Sequence, residues 1–144
     1  VALANLDMEL SRLPLQGQTT AVFLVISRGG RISGASVGDS GAWLVDASDF
    51  ADLTLGQRRK PLLGTGAACP IPFSGDIGTE TILVATDGLL KYARAEAICE
   101  AVRMADLEEA TRRLHSLVQL RSGALQDDVG LALFRLACRD ESAP

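Results

Sequence analysis

The sequence predicts an α+β protein, with an antiparallel β core and helices segregated from it. Short apolar segments bounded by glycine-containing turns predict strands at residues 19–26, 32–37, 42–45, 81–86 and 129–136. Two amphipathic stripes between residues 95 and 118 predict a pair of helices. Since turns, and not helices, separate the first three strands, the pattern indicates antiparallel pairing and excludes a βαβ unit there.

Composition limits the class of protein. The chain has 144 residues, of which 47% are hydrophobic and 22% charged, with a net charge of −4. This length predicts one domain over residues 1–144, and this composition excludes a disordered chain. No apolar run reaches the roughly 18 residues of a membrane span, so no membrane partner is expected. The acidic balance (pI ≈ 4.9) argues against nucleic acid as a partner.

The N-terminal half predicts a short helix followed by an antiparallel meander. Leucines at positions 3, 6, 10 and 13 indicate one apolar helix face, ending near Pro14. The apolar segment 19–26 predicts a buried strand, and Gly29-Gly30 supplies a tight turn into the strand 32–37. A second turn at 38–41 leads into the third strand of the meander.

Residues 57–79 predict an irregular loop, because prolines and glycines break every regular period there. A loop of this length within a small domain is often functional. Beyond it, the segment 81–86 predicts a buried strand that stops at Asp87-Gly88, and Asp106 predicts a helix N-cap. The segment 129–136 is apolar on both faces, which favours a central strand.

Three acidic residues share one local pattern. Asp39, Asp87 and Asp127 each lie at the end of an apolar strand, beside glycine or another polar residue. If these carboxylates converged, their repulsion would require a cation, and oxygen ligands suit Mg²⁺ and Mn²⁺. The alternative is that each aspartate forms only its local turn, where aspartate is common.

The evidence for other catalytic or ligand-binding residues is weaker. The single histidine, His115, falls within a predicted helix and is expected on its surface. Cys69, Cys99 and Cys138 lack the CxxC spacing of a zinc site, which favours free thiols in a reducing cytoplasm. The basic cluster at residues 58–60 (Arg-Arg-Lys) is expected to be a solvated loop. Two aromatic residues, Phe23 and Trp43, are expected to fill the core.

Four segments, taken in order, resemble the type 2C (PPM) metal-dependent Ser/Thr protein phosphatases. They are Thr19-Thr20-Ala21, Val37-Gly38-Asp39-Ser40, residues 83–90 (LVATDGLL) and Asp127-Asp128-Val129. The resemblance extends from about residue 17 to residue 136. Sporulation-type bacterial serine phosphatases are distant relatives in the same superfamily.

The resemblance implies an αββα sandwich of two antiparallel sheets flanked by helices. It also implies a pair of Mn²⁺ or Mg²⁺ ions that activates water against phosphoserine or phosphothreonine on a protein substrate. By motif position, Asp87 and Asp127 would be metal ligands, and Asp39 would help to hold a third, weaker metal. Asp128 and Gly88 would support these ligands, and the 57–79 loop would correspond to a variable flap that influences substrate choice.

The sequence also departs from the family pattern. It lacks the Asp-Gly-x-Gly-Gly-like motif whose aspartate bridges the two metals, and Gly41 stands where an arginine commonly follows the Gly-Asp-Ser motif. The chain therefore resembles the C-terminal two-thirds of the catalytic domain. On this hypothesis the N-terminal strands are missing, and an N-terminal segment of the same domain would be a partner. The alternative hypothesis is a non-catalytic interaction module with the phosphatase fold, in which the basic residues 58–60 would bind a phosphorylated or acidic segment.

Overall fold

The structure is a computed structural model that describes residues 2–14 and 17–136. Its helices are α1 (Ala2–Leu10), α2 (Asp87–Leu90), α3 (Ala95–Val102) and α4 (Leu107–Val118). Its strands are β1 (Ala21–Ile26), β2 (Arg31–Val37), β3 (Gly41–Val45), β4 (Phe50–Asp52), β5 (Ile71–Asp76), β6 (Thr81–Ala85) and β7 (Leu131–Arg135). Cys138 lies outside the described residues.

The strands of the described residues form two antiparallel sheets. The first has the order β1-β2-β5 and the second the order β4-β3-β6-β7. Every pairing within them is antiparallel, as between Leu24 and Gly34 in the first sheet and between Trp43 and Leu83 in the second. The predicted α+β class with an antiparallel core is confirmed.

The layers follow from which faces are apolar. Ile32 of the first sheet and Ile82 of the second lie in one buried cluster between the sheets. Leu3 of α1 packs with Val37 on the outer face of the first sheet. The outer face of the second sheet packs against α2, α3 and α4 through the residues Trp43, Val45, Leu83, Leu89, Ile98, Val102 and Leu114. The order of the layers, helix–sheet–sheet–helix, confirms the αββα sandwich.

The chain leaves the first sheet after β2, so the predicted meander is wrong beyond the first hairpin. β3 does not pair with β2 but lies between β4 and β6 in the second sheet. Four of its five residues are buried, which suits a strand with neighbours on both sides. The turn at residues 38–40 therefore crosses from one sheet to the other, and Gly38 adopts a φ of 97° there.

Part of the predicted 57–79 loop is a strand. β5 pairs with β2 and shows alternating burial, which its proline and glycine conceal in the sequence. Pro72 is tolerated because β5 lies at a sheet edge, where a missing N–H group costs little. The short strand β4 also escaped prediction. Within the predicted loop, only residues 57–70 and 77–79 remain outside a strand.

β1 and β7 are edge strands of the described sheets, so the predictions of a buried β1 and a central β7 are wrong. Phe23 is 48% exposed and Phe134 is 46% exposed, and Phe23 does not fill the core as expected. Trp43 is buried, as predicted. An open apolar cleft of about 450 Å³ separates the two edges and is lined mainly by β1, β6 and β7.

The predicted helices are present, with one difference in α1. Its buried positions are Leu3 and Asp7, whereas Leu6 and Leu13 of the predicted apolar stripe are largely exposed. The carboxylate of Asp106 accepts hydrogen bonds from the backbone N–H groups of Glu108 and Glu109, which confirms the predicted cap of α4. No helix among the described residues is long and apolar enough to cross a membrane.

Candidate metal centre

The register of the second sheet brings the predicted acidic positions to the same end of its strands. Gly41 at the start of β3 pairs with Ala85 at the end of β6, and Ala85 pairs with Leu131 at the start of β7. Asp39 therefore precedes β3, Asp87 follows β6, and Asp127 precedes β7 at the same end of three neighbouring strands. Sequence spacing alone could not establish that these positions lie at the same end of the sheet.

Asp87 is held where β6 changes into a helix. It opens the single turn α2, which the sequence did not predict, and Thr86 is the N-cap residue. The Thr86 hydroxyl donates to the carbonyl of Asp128 at 3.0 Å and accepts from the N–H of Gly130 at 3.0 Å. The Thr86 N–H donates to the carbonyl of Gly130 at 2.9 Å. These bonds fasten the segment before β7 directly to the segment that carries Asp87.

Gly88 allows this close approach. A Cβ atom at position 88 would collide with the backbone carbonyl of Asp128. The resemblance assigned Gly88 and Asp128 to support of the ligands, and the structure places the two residues against each other. Asp128 is exposed, and its N–H donates to the carboxylate of Asp127 at 2.9 Å.

A lysine lies beside two of the acids. Lys91 lies one helical turn after Asp87, and its N–H donates to the Asp87 carbonyl at 2.9 Å. The Lys91 ammonium lies 4.9 Å from the centroid of the Tyr92 ring. Hydrogen bonding to the Tyr92 side chain is the largest cause of a raised Lys91 pKa. The charges of Asp87 and Asp127 raise that pKa further. Sequence analysis missed Lys91, although an Asp–Lys pair four residues apart is a recognisable helical signal.

Asp39 meets the irregular loop. Its carboxylate lies 3.8 Å from the Nε atom of Arg59, and the N–H of Gly38 donates to the carbonyl of Arg58 at 3.2 Å. Ser40 is buried and shares a 2.7 Å hydrogen bond with the Thr20 hydroxyl. The basic residues 58–60, expected to be only a solvated loop, therefore lie beside the acidic edge of the sheet.

The donor set fits a divalent cation only in part. Exposed or half-buried carboxylates at Asp87 and Asp127 are hard oxygen donors of the kind that Mg²⁺ and Mn²⁺ prefer. However, no group of three or more His, Cys, Asp or Glu side chains within residues 2–14 and 17–136 is placed to hold a metal ion. The described residues therefore offer part of a ligand set, and Asp39 already has Arg59 as a counter-ion.

The remaining candidates lie elsewhere. His115 is exposed on α4, as predicted. Cys69 is exposed and Cys99 is buried, and both are free thiols. Burial raises the pKa of Cys99, which makes it a poor nucleophile.

Comparisons with solved structures identify the fold. A bacterial serine phosphatase superposes with a TM-score of 0.81 at 19% identity, over 94% of this chain and 64% of its own. The PPM Ser-Thr phosphatase MsPP from Mycobacterium smegmatis superposes with a TM-score of 0.73 at 21% identity, over 93% of this chain and 69% of its own. The catalytic domain of the phosphatase PstP in complex with two manganese ions gives a TM-score of 0.71 at 22% identity, over 91% of this chain and 64% of its own.

No family model and no curated protein matches the sequence. The structural comparisons nevertheless show that this chain has the fold of the PPM-type bacterial serine/threonine phosphatases. The resemblance drawn from the sequence motifs is confirmed at the level of fold. The chain spans 64% of the length of the serine phosphatase described first.

Proposed function

We propose that this chain is the larger part of a metal-dependent phosphatase domain that hydrolyses phosphoserine or phosphothreonine on proteins. The observation that carries the proposal is that Asp39, Asp87 and Asp127 flank the same end of three neighbouring strands, within a PPM phosphatase fold. Local turn formation alone would give no reason for three separate strand ends to present acids on the same edge.

In this proposal Asp87 and Asp127 are metal ligands, Asp39 serves a weaker additional site, and Asp128 and Gly88 support the ligands. The manganese in the PstP complex favours Mn²⁺, and Mg²⁺ has the same ligand chemistry. A bound pair of ions would lower the pKa of a water nucleophile and neutralise phosphoryl oxygens. The chain's own contribution is orientation, because Thr86 fastens the two ligand-bearing segments together.

The proposal requires further ligands besides those in the described residues. Because this chain spans only 64% of the length of the bacterial serine phosphatase described above, we propose that a segment of the same domain, N-terminal to the present sequence, supplies a bridging carboxylate. The outer edges of β1 and β7, which pair with no strand of the described residues, are places where additional strands could pair. That segment would complete both the sheets and the metal site.

The test is Mn²⁺ binding by isothermal titration calorimetry, together with release of phosphate from a phosphothreonine peptide. We expect Asp87→Asn to weaken Mn²⁺ binding by about tenfold or more, because it removes one charged ligand from a small set. Asp106→Asn, which removes the same charge from the cap of α4, should bind Mn²⁺ like the unaltered chain. Equal Mn²⁺ affinity in the Asp87→Asn variant and the unaltered chain would refute the assignment.

Mn²⁺ binding without phosphate release would indicate that the metal site of this chain lacks a ligand needed for hydrolysis. Extending the chain with a segment that carries an Asp-Gly-x-Gly-Gly-like motif should then restore hydrolysis, and Asp87→Asn should abolish it. Failure of such an extended chain to hydrolyse the peptide would favour the non-catalytic interaction module.

A further inference from the structure

We propose that the basic loop, residues 58–60, recognises acidic side chains that flank the phosphorylated residue of a peptide. The inference rests on the proposed function for its phosphorylated substrate, but the binding surface itself is independent of metal. It identifies the chemistry that the loop selects, which is acidic side chains beside the phosphorylated residue.

The first observation is charge segregation. Residues 53–75 contain three basic residues and no acidic residue, in a chain whose net charge is −4. Arg58, Arg59 and Lys60 are consecutive and all exposed. Such a local excess of positive charge attracts anionic partners, whereas the rest of the chain is on average acidic.

The second observation is the position of the basic loop next to the acidic residues. The carbonyl of Arg58 accepts from the N–H of Gly38, and the Arg59 guanidinium lies 3.8 Å from the carboxylate of Asp39. The basic loop is therefore attached to the turn that leads into β3, at the end of the second sheet that carries Asp87. A peptide whose phosphorylated residue reaches that edge passes beside the three cations.

The third observation is that the loop has a defined support. The buried carboxylate of Asp7 accepts from the N–H groups of Gly64, Gly66 and Ala68 at 2.7, 3.1 and 2.8 Å. Leu63 is fully buried and pairs with Thr19 through two backbone hydrogen bonds. These contacts fix the segment that follows the cations, so the cations are presented from an anchored loop.

The fourth observation concerns the guanidinium group of Arg59. The Arg59 side chain is 75% exposed, and within the described residues its ion pair uses Nε, at a separation of 3.8 Å. Guanidinium groups bind carboxylates and phosphates through paired N–H donors. An incoming acidic side chain can therefore bind Arg59 on the face that Asp39 leaves open. Because the neighbouring acidic edge repels anions, the loop also offsets a charge that would disfavour such peptides.

The experiment measures binding of two fluorescein-labelled phosphothreonine peptides by anisotropy, without metal and at low salt. One peptide carries aspartates on both sides of the phosphothreonine, and the other carries alanines. We expect the unaltered chain to prefer the acidic peptide by about five- to tenfold, since exposed ion pairs contribute modestly and are screened by salt. The triple variant Arg58→Gln/Arg59→Gln/Lys60→Gln should lower this preference to about one.

The matched control is Arg112→Gln/Arg113→Gln/Arg121→Gln, which removes the same charge from exposed positions in α4 and the loop after it. It should keep the preference of the unaltered chain. An unchanged preference in the 58–60 variant, or no preference in the unaltered chain, would overturn the inference. Tighter binding of a single-stranded DNA oligonucleotide than of the acidic peptide would also overturn it, in favour of nucleic acid. Because no arm requires metal or hydrolysis, failure of the proposed function would be seen separately.

Discussion

At the scale of single residues, Asp7 shows how a buried charge can organise a loop. Burial alone would raise its pKa, but the N–H groups of Ala68, Gly66 and Gly64 outweigh that effect and hold the pKa below its ordinary value of 3.8. Its position within a leucine-rich helix gave no sign of this role. The three acceptor contacts join α1 to a segment about 60 residues further along the chain.

Asp7→Asn should lower the free energy of unfolding by about 2–4 kcal/mol at pH 7, because charge-assisted bonds to buried N–H groups are lost. Since the folded-state pKa is depressed, this contribution is fully present above the unfolded-state pKa. It is lost as the pH falls through the folded-state pKa. Urea denaturation at pH 7 and at pH 3 measures it, and the difference between variant and unaltered chain should shrink at the lower pH.

Asp76→Asn is the control for that experiment, because Asp76 is exposed and its ion pair with Arg31 joins two largely solvated side chains. It should change the free energy of unfolding by less than about 1 kcal/mol. A difference for Asp7→Asn that is the same at both pH values would contradict the role of its ionised carboxylate.

At the scale of elements, the contact between α2 and the segment before β7 sets the geometry of the candidate metal centre. Gly88→Ala would place a methyl group against the Asp128 carbonyl and force the two segments apart. We expect a loss of about 1–3 kcal/mol in stability, as for overpacked sites. We also expect weaker Mn²⁺ binding, which calorimetry would detect.

Gly56→Ala is the matched substitution, since a Cβ there meets no atom within 4 Å. It should leave both the melting temperature and Mn²⁺ binding close to those of the unaltered chain. If Gly88→Ala lowered stability without affecting Mn²⁺ affinity, α2 would be a structural element only.

At the scale of the whole molecule, the sandwich is open along one side. β1 and β7 are edge strands of the described sheets, and exposed apolar side chains such as Phe23, Val25 and Phe134 border the cleft between them. β1 carries no charged residue that would discourage pairing with another chain. This arrangement favours association through strand edges.

We therefore expect the 144-residue chain, expressed by itself, to associate at micromolar concentration in sedimentation velocity experiments. Phe23→Lys/Val25→Lys should shift it towards monomer, because charge on an edge strand opposes pairing. A double substitution at exposed α4 positions, Arg112→Lys/Arg113→Lys, should leave association unchanged. A clean monomer of the unaltered chain with one cooperative thermal transition would show that the open side is tolerated.

The sequence by itself determined five of the seven described strands, three of the four described helices and the acidic residues at strand ends, because turn glycines, apolar periodicity and helix caps act over a few residues. It also identified the fold, through motifs such as that around Asp87. Only the tertiary structure decided that β3 joins the second sheet, that β1 and β7 are edges, and that Arg59 meets Asp39. Strands pair through backbone hydrogen bonds, which are nearly the same for every residue. The apolar pattern of a sequence therefore shows which face of a strand is buried, but it does not show which strands are neighbours in a sheet.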